Sequence, residues 1–412
     1  MSEIKTKPNL HASFIDARAF EIVDRLQRKG FKTYLVGGCV RDLLLNIEPK
    51  DFDIATTALP HEIRKIIPNS YIIGKRFKLV LAKRGRDQFE IATFRREAPR
   101  EEEGSNSESA VVGEEGSKEQ GNSHFIFNDN FFGSPEQDAL RRDFTINALF
   151  YDPIKNELID YAGGESDLRR QLVRMIGDPS RRILEDPIRS LRAIRLAHKI
   201  QFSIEPTLRQ NITKYASPVA LTALPRRREE YIKLLKLRYP SLAFYELYDL
   251  GLVETCLPSL KFIFESAELS QLFAFYIDHF RPPFLDQENP SLPHIFTLVS
   301  AFYSISRSWD KTEDFLKKEF GIYRSELTVI QGAIRGAKQF PKISAFSKRS
   351  LRRKYNFLNQ PWVPYAFEYL YFHRIFSPGE ALQWDKELWQ LTQKAPSFLG
   401  SNTVTKRRDS RP

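Results

Sequence analysis

Gly37-Gly38, Arg41-Asp42 and Asp51-x-Asp53 stand close together near the N-terminus. Adjacent glycines let backbone N–H groups come close to a phosphate, because no Cβ intervenes. A helix opening near Val40 aims its N-terminal dipole at the same place, and Arg41 adds a fixed cation. Asp51 and Asp53 lie two apart on a predicted strand, so both carboxylates project from one face. Glu90, in the alternating run at residues 88–95, supplies a third acid on a strand that can pair beside the first. Carboxylates beside a phosphate-binding turn are what two divalent metals require, ~3.5–4 Å apart, one activating an attacking hydroxyl and the other neutralising a leaving pyrophosphate. Oxygen-only coordination fits Mg²⁺ and needs no histidine. Singly, a glycine pair is a turn and a D-x-D pair a solvated strand face. Their order and spacing together point to chemistry.

The elements that must position these residues can be read from periodicity. Residues 13–29 place Phe14, Ala17, Phe20, Ile22, Val23 and Leu26 at helical spacing, and Gly30 ends the helix. Residues 33–36 read as a short buried strand, 40–45 as a second helix, and 51–56 as a strand with one polar face. Further strands are predicted at 79–82 and 89–94. Together they make a mixed α/β head over residues 1–155. The stretch 97–123 interrupts it, rich in Glu, Gly and Ser and without an aromatic residue, and reads as a disordered surface insertion. After residue 160 the pattern turns helical, broken near Pro179, Pro206, Pro225, Pro240, Pro258 and Pro282-Pro283. This gives an all-α remainder: a neck at 156–236, a body and tail at 237–400, and a basic C-terminus at 401–412. Most aromatics after residue 242 are expected to fill a helical core.

Composition narrows the partners. Lys and Arg total 63 against 52 Asp and Glu, a formal net charge of +11 over 412 residues. Residues 101–123 hold seven Glu and one Lys, a local −6 that leaves +17 on the rest. Such an excess favours a polyanion, with nucleic acid first and an anionic membrane second. The two cysteines, Cys39 and Cys256, lie far apart in no metal-ligand spacing, which argues against a disulfide scaffold and against zinc. No apolar run reaches the ~18 residues of a membrane span, and the N-terminus has no signal-peptide core. A cytoplasmic protein is the expectation.

Further motifs follow in order. The run at 141–148 (RRDFTINA) sets Arg141, Arg142, Asp143 and Asn147 close together; 160–164 is DYAGG; 185–192 is EDPIRSLR. Asp186 and Arg189 are three apart and share a helix face, opened by Pro187. An acceptor beside a donor can read a base edge: the carboxylate takes an exocyclic amine and the guanidinium meets a ring nitrogen. Adenine and cytosine both present that pattern. Arg192 and Arg195 extend the stripe, as phosphate or RNA contacts or as a solvated face.

LVGGCVRDLLL, PKDFDIAT, RRDFTINALFY, DYAGGESDL and EDPIRSLRAIRLA resemble, in order and spacing, the class II nucleotidyltransferases. These are the bacterial poly(A) polymerases and the CCA-adding tRNA nucleotidyltransferases. The resemblance spans residues 20–236. It implies an α/β head with helical neck, body and tail, and transfer of a nucleoside monophosphate from a ribonucleoside triphosphate to an RNA 3′-hydroxyl with Mg²⁺. It also implies that Asp51, Asp53 and Glu90 hold the metals, that Gly37, Gly38 and Arg41 meet the nucleotide, and that Arg142, Asp143 and Asn147 hold triphosphate and ribose. Asp186 and Arg189, with Arg192 and Arg195 beyond them, would form a protein template for the incoming base, and 160–164 a hinge between head and neck. Residues 49–53, 74–78 and 130–136 resemble the poly(A) polymerase wording. That selects ATP and RNA 3′ ends in mRNA or other RNA, with tRNA and CTP as the alternative. One departure stands out: Arg227-Arg228 replaces the apolar pair usual before two acids in poly(A) polymerases.

Overall fold

The computed structural model describes residues 4–8, 10, 12–74, 78–85, 87–96, 131–280, 282 and 289–394. The acidic insertion at 97–123, residues 75–77, Asn130, Pro283 and the basic C-terminus at 401–412 lie outside the described residues. The chain forms two compact units, Met1–Pro179 and Ser180–Pro412.

The first unit is organised by one eight-stranded sheet. Its strands are β1 (Ile4–Thr6), β2 (Thr33–Val36), β3 (Asp53–Thr56), β4 (Ser70–Ile73), β5 (Leu79–Arg84), β6 (Asp87–Thr93), β7 (Leu149–Asp152) and β8 (Glu157–Asp160). They lie in the order β1-β8-β7-β2-β3-β6-β5-β4. Only β3 and β6 run parallel; the other neighbours are antiparallel. The sheet thus continues past residue 155, where the sequence placed the end of the head, because β8 pairs with both β7 and β1.

Local chemistry explains the elements. Asp16 accepts the Arg18 backbone N–H and starts α1 (Ala17–Arg28), which buries Ala19, Ile22, Val23 and Leu26. Phe20, expected on that face, is instead exposed. Thr33 on β2 and Thr56 on β3 are fully buried and satisfy each other at 2.8 Å, which fixes their register. α2 (Gly38–Leu44), α3 (Pro60–Ile66), α4 (Pro135–Leu140) and α5 (Gly164–Arg169) complete this unit. Val36, Ala55, Phe94, Phe150 and Ile159 meet in its core.

The second unit is helical. α6 (Pro179–Glu185) and α7 (Ile188–Ile200) open it, and further helices follow to Pro378–Lys394. Pro206, Pro225, Pro240 and Pro258 each stand in the first turn of a helix, where a missing N–H leaves no hydrogen bond unmade. The aromatics pack as expected: Phe264 and Phe244 both meet Phe273 edge to face, and Trp384, Phe346 and Phe367 anchor a second cluster. Among the described residues no helix is long and apolar enough to cross a membrane.

Candidate active site

The parallel pairing of β3 with β6 sets Asp53 directly beside Glu90. Residues opposed across neighbouring strands present their side chains to the same face, so the two carboxylates share a surface. Asp51 lies just before the strand; it and Asp53 are exposed, whereas Phe52 between them is buried. The alternation read from 51–53 therefore holds, although the strand starts two residues later. Although Asp53 reaches solvent, the protein packed around it partly desolvates its carboxylate and raises its pKa above the ordinary value; Glu90 and Asp51 repel it in the same direction, and Arg142 opposes them. This is a site that favours an added positive charge.

Gly37 closes the other side. Its φ of 76° is left-handed, and a Cβ there would stand 2.8 Å from Arg142 Nη1 and 4.0 Å from Asp53 Oδ2. Glycine is thus needed twice, for the backbone turn and for the approach of the guanidinium. Gly38 follows as the first residue of α2.

Arg41 is placed differently from the expectation of a phosphate contact. It is buried at 3% exposure; Nη2 binds Asp42 Oδ1 at 2.5 Å, and Nη1 binds Asn147 Oδ1 at 2.6 Å. Arg142 hydrogen-bonds Asp138 Oδ2 through Nη2 at 3.0 Å and the Asn147 carbonyl through Nη1 at 3.1 Å, and it lies over the Phe150 ring. Asp138, buried on α4, also takes Arg141 at 2.7 Å. Burial would raise its pKa, but Arg142 and Arg141 outweigh that and hold it below the usual carboxylate range. Sequence reasoning missed Asp138. The signal was its position three and four residues before two arginines on a helix. Asp143 adjoins this network, its carbonyl accepting the Ile176 N–H at 3.0 Å.

The run at 160–164 is a packed cap rather than a loose joint. Asp160 accepts backbone N–H groups from Ala162, Gly163, Gly164 and Glu165, at 2.9–3.1 Å. A Cβ on Gly164 would stand 2.3 Å from the Thr145 carbonyl oxygen. Thr145 in turn donates its hydroxyl to buried Asp167 at 2.7 Å. At this expected hinge Gly164 serves close packing against the turn that carries Asn147, whereas a Cβ on Gly163 would meet nothing within 4 Å and that residue supplies a φ of +79°.

In the second unit, Asp186 sits between α6 and α7. Its Oδ2 accepts Arg226 Nη2 at 2.9 Å, and its buried Oδ1 has no hydrogen-bond donor among the described residues. Arg189 donates to the Arg182 carbonyl at 2.6 Å and reaches Glu185 at 3.4 Å. Arg192 lies half-buried one turn further along α7. Arg195 binds Glu230 at 2.6 Å, which also takes Lys233 at 2.9 Å. Burial pushes Glu230 up, yet Arg195 and Lys233 bring its pKa below the ordinary value. The pair Arg227-Arg228 is buried. Arg228 binds both Glu326 oxygens at 2.6 and 2.8 Å and stacks over Tyr323. Arg226 was overlooked as a partner of Asp186, since 40 residues separate them.

Among the described residues no group of three His, Cys, Asp or Glu side chains is arranged to hold a metal. Mg²⁺, however, is commonly bound by one or two carboxylates with substrate phosphates and water completing the shell. Asp53 beside Glu90, with its carboxylate destabilised by desolvation and by neighbouring acids, fits that mode of binding.

Residues 33–174 match the Poly A polymerase head domain, and residues 201–263 match the family described as a probable RNA and SrmB-binding site of polymerase A. The fold and the site together define a nucleotidyltransferase head. Poly(A) polymerase I of Haemophilus influenzae is 40% identical over 251 residues, covering 61% of this chain and 53% of that protein. A CCA-adding enzyme of Geobacillus sp. is 35% identical over 235 residues, covering 57% of this chain and 53% of that one. The chain thus spans about half the length of these curated relatives. The Bacillus stearothermophilus CCA-adding enzyme solved in complex with CTP shares the fold, with a TM-score of 0.63 and 24% identity over 92% of this chain and 82% of that one. Over residues 33–174 and 201–263 the chain is thus similar to the poly(A) polymerases and CCA-adding nucleotidyltransferases.

Proposed function

We propose that this chain adds AMP from ATP to RNA 3′ ends without a template, releasing pyrophosphate. The observation that carries the reading is the β3–β6 register, which sets Asp53 beside Glu90 on the surface shared with Gly37 and Arg142. Asp51, Asp53 and Glu90 are the residues that would hold Mg²⁺. When bound, such ions acidify the attacking 3′-hydroxyl and offset the charge of the leaving pyrophosphate.

The chain's own groups do the rest. The Gly37-Gly38 backbone and Arg142 orient the triphosphate. Arg41 acts one step back: by engaging Asn147 Oδ1 it leaves the amide N–H groups as donors for the ribose hydroxyls. Asp143 lies on the same turn and joins this binding wall. Asp186 offers Oδ1 to the exocyclic amine of the base while Arg226 holds Oδ2. Arg189 supplies the matching donor, and Arg192 extends the cationic edge of α7. Arg195 is tied to Glu230 and steadies that helix against its neighbour.

Identity to Poly(A) polymerase I supports adenylate addition. CCA addition to tRNA with CTP and ATP is the second reading, favoured by the CCA-adding relative at 35% identity. Incubation with ATP alone, CTP alone and both separates the two, using a generic RNA and a tRNA lacking its terminal CCA as acceptors. Long A-tails on generic RNA are expected. A three-nucleotide product confined to tRNA establishes the second reading instead, and no incorporation on either acceptor overturns both.

A further inference from the structure

The most one-sided charge in the described chain lies beyond both family-matched regions. Residues 327–367 contain eight Lys and Arg and no Asp or Glu. Most of these bases ride on two rigid helices. Arg335 and Lys338 are exposed near the end of the helix Arg324–Lys338. Lys348, Arg352 and Arg353 are exposed around the start of the helix Leu351–Leu358. Between them Arg349 is half-buried, its guanidinium 5.7 Å from the centres of both the Phe346 and Phe357 rings. Those stacking contacts hold the charge in place without neutralising it.

The carboxylate that meets this stretch is already taken. Glu387 binds Lys354, the buried base of the run, and accepts the Ser347 hydroxyl at 3.3 Å. Among the described residues no carboxylate pairs with Lys348, Arg349, Arg352 or Arg353. Burying one base against one acid leaves the others as uncompensated cations facing solvent.

From this placement we infer that Lys348, Arg349, Arg352 and Arg353 form a surface that grips the phosphate backbone of RNA. The inference rests on the reading of the chain as an RNA nucleotidyltransferase and adds where the strand upstream of the reacting end is held. An amphipathic helix laid on a membrane needs a free apolar face. Here Tyr355 and Phe357, the apolar side of Leu351–Leu358, are packed with Phe346, Phe367 and Trp384. Cations clustered around the start of one helix, without a carboxylate partner among the described residues, suit sequence-independent contact with phosphates.

The test uses the full chain with Lys348→Gln, Arg352→Gln and Arg353→Gln combined; all three side chains are exposed, and circular dichroism verifies the fold. Binding of a fluorescent unstructured 20-nucleotide RNA is followed by anisotropy from 50 to 200 mM salt. Each lost phosphate contact on a single strand lowers the salt slope by about 0.7, so the triple variant should lose about 2 in slope and roughly tenfold or more in affinity. ATP binding measured without RNA should be unchanged. Equal RNA affinity and slope in variant and parent overturn the inference. So does loss of binding to phosphatidylglycerol vesicles with RNA binding intact, which assigns the surface to a membrane. If the parent incorporates no nucleotide, the enzymatic reading fails, whereas loss of RNA binding in the variant still identifies the surface.

Discussion

In the head, Asp138, Arg141 and Arg142 form a buried and half-buried charge network around the candidate site; in the helical half, Arg228 and Glu326 hold helices together. Asp138 orients Arg141 and Arg142 from the same stretch of chain, and Arg41 binds its neighbour Asp42, with one long-range contact to Asn147. Arg228 and Glu326, by contrast, are 98 residues apart and form a nearly solvent-free pair whose other contacts are Asn289 and Tyr323. A charge network made mostly of local partners can be tuned around a ligand. One made across the chain fixes how helices pack, and its cost in desolvation is offset mainly at Glu326, which also accepts from Asn289 and Tyr323, while Arg228 Nε has no hydrogen-bond partner among the described residues. The same residue type therefore carries opposite meanings in the two halves, and the departure at Arg227-Arg228 belongs to the second.

The largest expected effect tests the head. Asp53→Asn keeps size and shape but removes a carboxylate from the group that would hold Mg²⁺. Loss of that charge stabilisation, several kcal/mol, should reduce AMP incorporation about 10³-fold or more. Stability should not fall. An acid whose pKa is raised by folding is penalised when ionised, so a neutral amide relieves the repulsion from Glu90 and Asp51 at neutral pH. Incorporation of labelled AMP together with thermal unfolding gives both readouts, and full activity in Asp53→Asn would end the metal assignment.

The second effect tests the helical half. Arg228→Met leaves Glu326 buried without its cation, a loss of about 3–5 kcal/mol. Urea unfolding of Arg228→Met should show it, with AMP incorporation per folded molecule little changed at low temperature. Adding Glu326→Leu removes the stranded acid and should restore most of the stability. A cost below about 1 kcal/mol in the single variant would mean that the pair is not holding the fold, and the contrast between the halves would disappear.

How far each half was legible follows from the same contrast. The glycine turn, the β2 strand, the D-x-D alternation and the acid on β6 lie in short patterns, and the parallel register brought Asp53 and Glu90 together as read. β7 and β8 were not seen. Leu149–Asp152 is buried at all four residues and shows no alternation, while Glu157–Asp160 is too brief to show a period. β4 carries Tyr71, Ile72 and Ile73 outward on the sheet edge, the reverse of what apolar residues suggest. In the helical half the helix breaks were readable from prolines. Partners such as Glu326 for Arg228 or Arg226 for Asp186 were not, because nothing local encodes a contact made across tens of residues.

Asp186 is the residue on which the two kinds of network meet, and it gives the smallest and most discriminating effect. It is held by a charge 40 residues away, as in the helical half, yet one oxygen has no donor among the described residues, which suits a ligand contact. Asp186→Ala should lower the preference for ATP over GTP and UTP by about 1–3 kcal/mol, roughly tenfold to a hundredfold, the range for one base-edge contact. The incorporation rate at saturating ATP should fall much less than in Asp53→Asn. Arg226→Ala frees Oδ2 to turn and should produce part of the same loss of selectivity. If selectivity is unchanged in Asp186→Ala while stability drops, the carboxylate is a structural partner of Arg226, and the base must be read elsewhere. Competition between the four nucleoside triphosphates at fixed RNA distinguishes these outcomes in a single assay.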